Sequence, residues 1–522
     1  MKPFTTVVGI DLARRAPHQA VVMPAEGPGR GVAHRARPVT HDLPGLERLC
    51  GHIRRQTGRD SLEGVLVNME PTSGAWPVVA AYLGLQGAEV CLTRTDLTSQ
   101  WRKVHSRYRK TDRIDAQTLA NVPLSFPEHV WPVRPVSEPI RVLRELSAQR
   151  QRLVEEIIRW KNRFLAVVEP VWTGLLAVLL ESQRFSEVGR AFFRRFANPC
   201  EVERYGRARF AAWYAKHAHG LTDPNLLDVL WKAAQSAAAV WRTLEQRQAL
   251  PWSPAALDLL IEQDLRLIEV YEQELRGIEA RIATARQEVP ECDLLEQMPG
   301  VGKVVTVTLA SLLLPTDRFA NTRQCGAYTG FTGRKKSSAG RDTQGLRITK
   351  TGNRRLKRDL ALAADTAMYK DPQLAEFAIR LLTHGKHYNE VRVAVGRKIA
   401  LRARALLKRA AREPGAAFEW RDLHGDPVKP QQAKALARKL WERYRLDHPK
   451  GPSVPASSGP SVDAQQQADA RPDPQYAHTA RHPATTTPTP TAATLVDNLS
   501  PVRTKPGKKP PTHHPKNKLI ST

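Results

Sequence analysis

The chain has 522 residues, of which 80 are Lys or Arg and 52 are Asp or Glu, so its formal net charge is +28. A charge of that size attracts polyanions over long distances, which disfavours a small neutral metabolite as the main partner and favours nucleic acid. Because 41% of the residues are hydrophobic, packed cores are expected and a chain that is disordered throughout is excluded.

The five cysteines are scattered and form no CxxC pair, which excludes a disulfide framework and a cysteine zinc site and suits a reducing cytoplasm. The N-terminal sequence enters a strand-like run directly, without the apolar segment and cleavage site of a signal peptide. The longest apolar stretch, after Lys303, is too short to span a bilayer. We therefore expect a soluble, cytoplasmic protein.

Residues 1–125 are predicted to form an α/β domain. Short apolar or β-branched runs at residues 6–10, 20–23, 64–69 and 88–92 are typical of strands, and residues 76–85 and 110–121 are typical of helices. Strands that alternate with helices indicate a mixed sheet covered by helices.

Residues 138–288 are predicted to form a long helical arm with an insert. Leu146, Leu153 and Trp160 recur every seven residues, and a second stretch of apolar residues with similar spacing covers residues 257–282, interrupted by Asp264. This period favours paired helices or a coiled coil, and we expect the arm to support dimerisation. The insert, residues 166–253, reads as helical and carries no recognisable chemistry.

Residues 290–445 are predicted to form a compact, mostly helical domain. After Pro449 the composition changes to Pro, Ser, Thr, Ala and Gln. We expect residues 449–522 to be a disordered basic tail, because they cannot bury enough apolar surface to fold.

Four acidic residues stand out by their context. Asp11 ends the first strand, Glu70 follows a later apolar run, and Asp112 and Asp115 lie three residues apart on one face of a helix. Carboxylates that meet in one place repel each other unless cations lie between them, so a cluster would indicate hard ions such as Mg²⁺. Two ions about 4 Å apart would clamp a phosphodiester. The alternative is that each acid is a separate helix cap or surface charge.

A glycine turn, residues 298–303, lies between two helical stretches and contains Gly300, Gly302 and Lys303. It resembles a helix-hairpin-helix, in which backbone N–H groups bind a nucleic-acid phosphate without reading the base sequence. An ordinary helix–helix turn is the alternative.

Two serines lie between basic clusters further along the chain. Ser337 and Ser338 stand in a loop of small residues, which can bring a hydroxyl close to a phosphate. The flanking cations, which can offset the phosphate charge, are Arg334, Lys335, Lys336, Arg341, Lys350, Arg354 and Arg355. A solvent-exposed loop in a basic domain is the alternative.

The order of these motifs resembles one family. The segments GID, MEPT, KTDRIDA, PGVG, CGAYTGF and ITKTGNRRL follow one another as in the transposases of the IS110/IS1111 group of bacterial insertion sequences, known as DEDD or serine-bearing recombinases. The resemblance covers residues 5–165 and 255–410, and the tail lies outside it.

The resemblance implies an N-terminal domain of RuvC-like, ribonuclease-H fold, in which Asp11, Glu70, Asp112 and Asp115 hold Mg²⁺. It also implies a C-terminal domain whose serine becomes joined to DNA, with Ser338 at the matching position. Family members act as homo-oligomers, either dimers or tetramers, on donor and target DNA under the guidance of an RNA from their own element. A bacterial cytoplasmic protein associated with the nucleoid is therefore expected.

One departure from the family pattern concerns the nucleophile. The usual Ser-Gly step is Ser-Ala-Gly here, so Ser337 remains the alternative to Ser338. Two other functions remain open. One is a RuvC-like nuclease or junction resolvase that uses metal-activated water, and the other is a nucleic-acid-binding protein without catalysis.

Overall fold

A computed structural model describes residues 4–26, 34–72, 74–105, 111–179, 181–219, 224–333, 337–338, 341–342, 348–349 and 351–448. In its described residues, the N-terminal part contains six strands and four helices. The strands are β1 (Thr6–Asp11), β2 (His18–Pro24), β3 (Arg37–Val39), β4 (Val65–Met69), β5 (Glu89–Thr93) and β6 (Val130–Pro132). The helices are α1 (Leu43–Thr57), α2 (Trp76–Leu85), α3 (Thr95–His105) and α4 (Asp112–Ser125).

The six strands form one mixed sheet in the order β3-β2-β1-β4-β5-β6. The first three strands are antiparallel to one another, β1, β4 and β5 run parallel, and β6 returns antiparallel to β5. The predicted α/β domain with a mixed sheet is confirmed.

Both faces of the sheet are covered, because alternate strand residues point to opposite sides. Val8 and Val67 belong to a core with residues of α1 and α2, whereas Val7 and Val21 pack with Ala116 of α4 on the other side. Helices on both faces explain why β4 is apolar at nearly every position.

Helix α4 lies unusually close to β1. A Cβ atom at Gly9 would stand 2.1 Å from the carbonyl oxygen of Ala116 and 2.3 Å from the backbone nitrogen of Ala120, so only glycine fits there. A buried amide fixes the same helix to the sheet: the Nδ2 of Asn68 donates to the carbonyl of Leu119 at 2.7 Å, and its Oδ1 accepts from Thr93 at 2.9 Å. The start of α4 is thereby fixed over the ends of the central strands.

Two long helices follow, α5 (Glu138–Val168) and, after six intervening helices, α12 (Pro254–Ala285). They lie side by side and antiparallel, because Arg150 pairs with Glu279 at 2.9 Å and Lys161 pairs with Glu272 at 3.2 Å. We call these two helices the arm. The coiled-coil geometry and the dimerisation remain predictions.

The insert consists of the helices between the two arm helices, and its core is rich in aromatic side chains such as Trp172, Phe193 and Phe210. Phe164 of α5 and Leu265 of α12 belong to the same core, so the insert and the outer part of the arm fold as one body. The helices are α6 (Leu175–Val178), α7 (Glu181–Arg184), α8 (Glu187–Arg195), α9 (Pro199–Tyr205), α10 (Arg207–His217) and α11 (Pro224–Gln246).

The C-terminal part is mostly helical, as predicted. Its helices are α13 (Glu291–Glu296), α14 (Lys303–Leu313), α15 (Thr322–Tyr328), α16 (Arg354–Ala367), α17 (Pro372–Thr383), α18 (Tyr388–Ala410) and α19 (Pro430–Asp447), and its two short strands are β7 (Ser337–Ser338) and β8 (Arg341–Asp342). Arg144 of the arm donates to the carbonyl of Ser311 at 2.8 Å and Arg318 donates to that of Leu312 at 3.4 Å. Both arginines face the negative end of the α14 dipole, and Arg144 joins the arm to this part.

The described residues all belong to one compact unit. The expected tail, residues 449–522, lies outside the described residues. In the described part of the chain, no helix is both long enough and apolar enough to cross a membrane. All five cysteines are free and buried.

Candidate active site

Two of the four predicted acids lie at the carboxyl ends of neighbouring parallel strands. β1 and β4 pair in parallel with Ile10 opposite Met69, so the next residues, Asp11 and Glu70, lie side by side at one edge of the sheet. Ligand sites form at this edge of parallel strands because it is open to solvent and the strand ends converge there.

The other two acids lie at the start of α4. Asp112 is its first residue, and Asp115 belongs to the same first turn, with its N–H donating to the carbonyl of Thr111 at 3.0 Å. The hydroxyl of Thr111 accepts from the N–H of Ile114 at 3.3 Å and caps the helix. Since α4 rests on Gly9 and Asn68, its first turn projects over the ends of β1 and β4.

All four acids line one cavity of about 420 Å³. They come from three separate stretches of the sequence, which the sheet and α4 bring together. The other lining residues come from the segment after β1, the segment after β4, α3 and α4, and are Leu12, Ala13, Thr72, Thr95, Ser99, Arg102 and Leu119.

Arg102 is a residue of this cavity that was not predicted from the sequence. Its Nη1 donates to both carboxylate oxygens of Asp115, at 2.8 and 3.0 Å, and the two side chains are only 19% and 13% exposed. The sequence offers a partial signal for Arg102. The segment between β5 and KTDRIDA starts at the edge of the sheet where β5 ends, which is the edge that carries Asp11 and Glu70. The sequence does not mark residues 95–105 as a helix, so no pattern in it places Arg102 at the site.

The donor set of the cavity suits a divalent cation, because carboxylate oxygens are the ligands that hard ions prefer. Among the described residues, however, no three His, Cys, Asp or Glu side chains are arranged closely enough to hold an ion. Asp115 is turned to Arg102, and the other three acids are not gathered closely enough either. The acids share a cavity but not yet a coordination geometry.

The loop after Asp11 is held by a neutral histidine. The backbone N–H of Ala13 donates to Nδ1 of His18 at 3.2 Å, and His18 is 1% exposed. Burial, together with nearby His41, lowers the pKa of His18. An imidazole that accepts at Nδ1 carries its proton on Nε2, so the cavity wall at Ala13 depends on the uncharged ring.

The two candidate serines lie in a hairpin rather than a loop. Ser337 pairs with Asp342 and Ser338 with Arg341 in antiparallel register. The base of the segment is closed where Gly333 bridges Ile348 and the N–H of Thr349 donates to the carbonyl of Thr332 at 3.0 Å. Only two residues separate Ser338 from Arg341, which allows strand pairing where the sequence suggested irregular structure.

Two glycine motifs meet beneath this hairpin. Gly330 of CGAYTGF and Gly352 of ITKTGNRRL both have positive φ, 73° and 94°. A Cβ atom at Gly352 would lie 2.4 Å from the Cα of Gly330. The two motifs therefore form one anchor for the ends of the hairpin.

Those predicted nucleic-acid-binding residues that the structure describes do not form a single cluster. Gly300 packs against the later part of α16, where a Cβ atom would lie 2.3 Å from the carbonyl oxygen of Ala363, whereas Arg354 and Arg355 begin that helix. At 1.5 Å per residue, about 12 Å of helix separates Arg355 from Ala363. Close packing therefore explains Gly300 without a phosphate. Gly302 caps α14, and Lys303 is its exposed first residue.

Arg334, Lys335, Lys336 and Lys350 lie outside the described residues, and for Ser337, Ser338 and Arg341 only the backbone is described.

Comparisons with known proteins agree with this division of the chain. Residues 8–172 match the transposase family DEDD_Tnp_IS110, and residues 292–378 match the Transposase IS116/IS110/IS902 family. A protein of Streptomyces coelicolor described as "Insertion element IS110 uncharacterized 43.6 kDa protein" is 23% identical over 398 residues, which are 75% of this chain and 91% of that protein. A transposase for insertion sequence element IS1328 of Yersinia enterocolitica is 32% identical over 137 residues, 26% of this chain and 38% of that protein.

One matched family covers the four acids and the sheet that carries them, and the other covers the glycine turn, the serine hairpin and α16. The expected family is thus confirmed from both halves of the chain: it belongs to the IS110 family of insertion-sequence transposases, enzymes that cut and rejoin DNA.

Proposed function

We propose that this transposase exchanges DNA strands through a serine-linked intermediate, assisted by Mg²⁺ that Asp11, Glu70, Asp112 and Asp115 hold. The observation that carries the proposal is the shared cavity, which four acids from three distant stretches of the chain line together. Separate surface charges or helix caps would have no reason to converge on one cavity.

The sheet supports a RuvC-like, ribonuclease-H assignment for the N-terminal domain. Three antiparallel strands followed by two parallel ones, in the order β3-β2-β1-β4-β5, agree with that fold. In it, acids at the end of the first and fourth strands and on a late helix belong to one metal site, and Asp11, Glu70 and the two acids of α4 lie at the corresponding positions here.

The cavity also offers groups that bind a phosphate directly. Thr95 and Ser99 of α3 also line it, and their hydroxyls can donate to non-bridging phosphate oxygens. When bound, Mg²⁺ would supply Lewis-acid polarisation of the phosphate and charge stabilisation at the departing oxygen. The acids position the cation, and the hydroxyls orient the phosphodiester.

The covalent step is assigned to Ser338, with Ser337 as the alternative. Its Oγ forms a bond to phosphorus, the bond from phosphorus to the 3′ oxygen breaks, and the serine proton is transferred to that oxygen to give a 3′-hydroxyl. The phosphoserine bond keeps the energy of the phosphodiester, so the strands can be resealed without ATP. The backbone pairing of the hairpin supports this role, since a rigid support fixes a nucleophile better than a free loop does.

Partners beyond DNA rest on the family resemblance. We propose that the transposase acts as a homo-oligomer, a dimer or tetramer, and that an RNA encoded by its own element pairs with donor and target DNA. The charge of +28 supports nucleic-acid binding of either kind. Sequencing the RNA that copurifies with the protein tests the guide, and an abundant RNA from the DNA beside the gene is the expected result.

The acids are tested by transposition in a bacterial host that carries the gene with its native flanking DNA on a plasmid. Asp11→Asn is expected to abolish the junctions between element and target, because the site loses a negative ligand. Asp60→Asn is the matched control, since Asp60 is an exposed acid away from the cavity. New junctions at wild-type frequency from Asp11→Asn would contradict the metal role.

The serine is tested by trapping protein on the same DNA with detergent, followed by protease digestion and mass spectrometry. A nucleotide adduct on Ser338 is expected, and it should disappear in Ser338→Ala but persist in Ser61→Ala, a control at an exposed hydroxyl. An adduct on Ser337 would identify Ser337, rather than Ser338, as the nucleophile. Cut DNA without any adduct would favour a nuclease that uses activated water.

A further inference from the structure

Arg102 is the only Lys or Arg among the described residues that line the acidic cavity. Its Nη1 bonds both oxygens of Asp115, and the pair is largely shielded from water. Such a pair has lost much of its hydration, so each partner needs another ion of suitable charge before it can separate. Arg102 therefore competes strongly with any other cation for the carboxylate of Asp115.

The two helices of this pair differ in how firmly they are fixed. α4 rests on the backbone at Gly9 and on the amide of Asn68, so Asp115 cannot leave the cavity without disturbing the sheet. Arg102 reaches the cavity from α3 through a long side chain with several rotatable bonds. A change of rotamer of the arginine is enough to open the pair.

A divalent ion and a guanidinium would repel each other across one carboxylate. Asp115 has lone pairs left, but two cations within a few ångström in a half-buried cavity are mutually unfavourable. Arg102 thus offsets the charge of Asp115, while the described lining of the cavity still has more acids than cations.

We propose that Arg102 is an exchangeable counter-ion: it occupies Asp115 until a divalent cation takes its place, and the released guanidinium then binds a phosphate of the DNA in the cavity. The proposal rests on the proposed function in one respect, namely that the four acids bind metal. The exchange would give Arg102 two roles. It blocks Asp115 while DNA is absent, and it binds a DNA phosphate once the cation is present. Arg102 is thus a substrate-positioning residue.

The first test measures Mn²⁺ binding by the full-length protein without DNA, using titration calorimetry. Arg102→Gln is expected to bind Mn²⁺ about tenfold more tightly than wild type, equivalent to about 1.4 kcal/mol, because the competitor is gone. Arg102→Lys keeps the charge but not the planar fork, so its affinity should lie between the two. Arg94→Gln is the matched control, because Arg94 pairs with Asp96 at the exposed beginning of the same helix.

The second test measures binding of a short DNA duplex with and without Mn²⁺ at several salt concentrations. The proposal predicts that Arg102→Gln reduces the slope of log K against log salt by about 0.9 when Mn²⁺ is present, as removal of one phosphate contact does. Without Mn²⁺ the slope should match that of wild type, because the arginine is then held by Asp115. Thermal unfolding without metal checks that each variant is folded.

The outcomes separate the two proposals. If wild type binds Mn²⁺ and Arg102→Gln binds it equally or less tightly, the exchange is wrong while the metal site stands. If neither binds Mn²⁺, the metal role of the acids fails and the exchange fails with it. Binding that appears only in Arg102→Gln would support the exchange strongly.

Discussion

Gly9 shows how one residue determines the geometry of the cavity. Its missing side chain lets the backbone of α4 cross β1 at contact distance, with no room for a Cβ atom beside Ala116 and Ala120. That crossing sets the first turn of α4, and with it Asp112 and Asp115, above Asp11. In the sequence, the glycine of GID is only one residue in a strand, and nothing near it identifies the helix that will cover it.

We expect Gly9→Ala to destabilise the N-terminal domain by about 1–3 kcal/mol, because either α4 or β1 must move to accommodate the methyl group. The melting temperature of this domain, followed by calorimetry, gives the measurement. The change should also weaken Mn²⁺ binding, since a displaced α4 separates its acids from Asp11.

Gly51→Ala is the control, because a Cβ atom at Gly51 in α1 would have no neighbour within 4 Å and alanine favours helices. It should leave the melting temperature equal or slightly higher. Equal stability of the two variants would show that α4 does not depend on close contact at Gly9.

The strands and helices that could be predicted from the sequence are those whose conformation follows from a local pattern of residues. β1, β2, β4 and β5 were expected within a few residues of their observed bounds, and the helix at Trp76–Leu85 was expected with those limits. β3 and β6 were missed because they are only three residues long and owe their conformation to pairing with β2 and β5. α1 and α3 were missed as well, although each has an apolar and a polar face.

The same limit explains what was missing from the site. Asp11, Glu70, Asp112 and Asp115 are recognisable by motif, but their convergence depends on strand order and on α4, which are tertiary features. Arg102 and the hydroxyls of α3 have no motif at all. The hairpin pairing of Ser338 was hidden because a two-residue strand has too few residues for a pattern.

Asp264 is the polar interruption in the arm, and it is fully buried. Arg163, itself half exposed, places its Nε 3.3 Å from one carboxylate oxygen, and neither oxygen accepts a hydrogen bond within the described residues. Burial raises the pKa of Asp264, and the nearby arginine opposes that effect only in part. The ionised carboxylate therefore costs the arm stability.

We expect Asp264→Leu to stabilise the arm by about 1–4 kcal/mol at pH 7, the range seen when well-packed apolar residues replace buried ion pairs. Arg163 can turn to water, so no cation is left buried. Because the folded state has the raised pKa, wild type loses stability as the pH rises through that value, whereas the variant does not. The increase in the free energy of unfolding caused by Asp264→Leu should thus be larger at pH 7 than at pH 4.5.

Asp258→Leu serves as the reference in the same calorimetric measurement, since Asp258 lies on the exposed side of the same helix. Its effect should stay within about 0.5 kcal/mol and should not follow the pH. A loss of stability in Asp264→Leu would indicate that the buried carboxylate has a favourable partner.

The affinity of the whole molecule for nucleic acid depends more on where its charges lie than on its net charge. Residues 449–522 contain nine Lys or Arg and four Asp, so most of the +28 belongs to residues 1–448. Several arginines there are already paired with acids, as Arg190 and Arg194 are with Glu272 and Glu269. The attraction for nucleic acid should therefore come mainly from unpaired cations outside the tail.

Deleting residues 449–522 is expected to leave more than half of the salt dependence of binding to a duplex of random sequence. Each neutralised phosphate adds about −0.9 to the slope of log K against log salt, so the difference in slope shows how many phosphates the tail neutralises. Fluorescence anisotropy between 50 and 200 mM salt, about the range in which such binding changes most, gives both slopes. A slope near zero after the deletion would assign nucleic-acid binding to the tail instead.

The five buried cysteines can report which part of this protein unfolds locally. Cys50 and Cys91 lie in the packing of the sheet, Cys200 lies in the insert, and Cys292 and Cys325 lie in the C-terminal core. Burial raises the pKa of every one of these thiols, that of Cys91 and Cys292 to about 12, so none is a ready nucleophile while its core stays closed. An alkylating reagent would therefore mark each core only when that core unfolds, and the order of labelling would reveal which part of the transposase yields first.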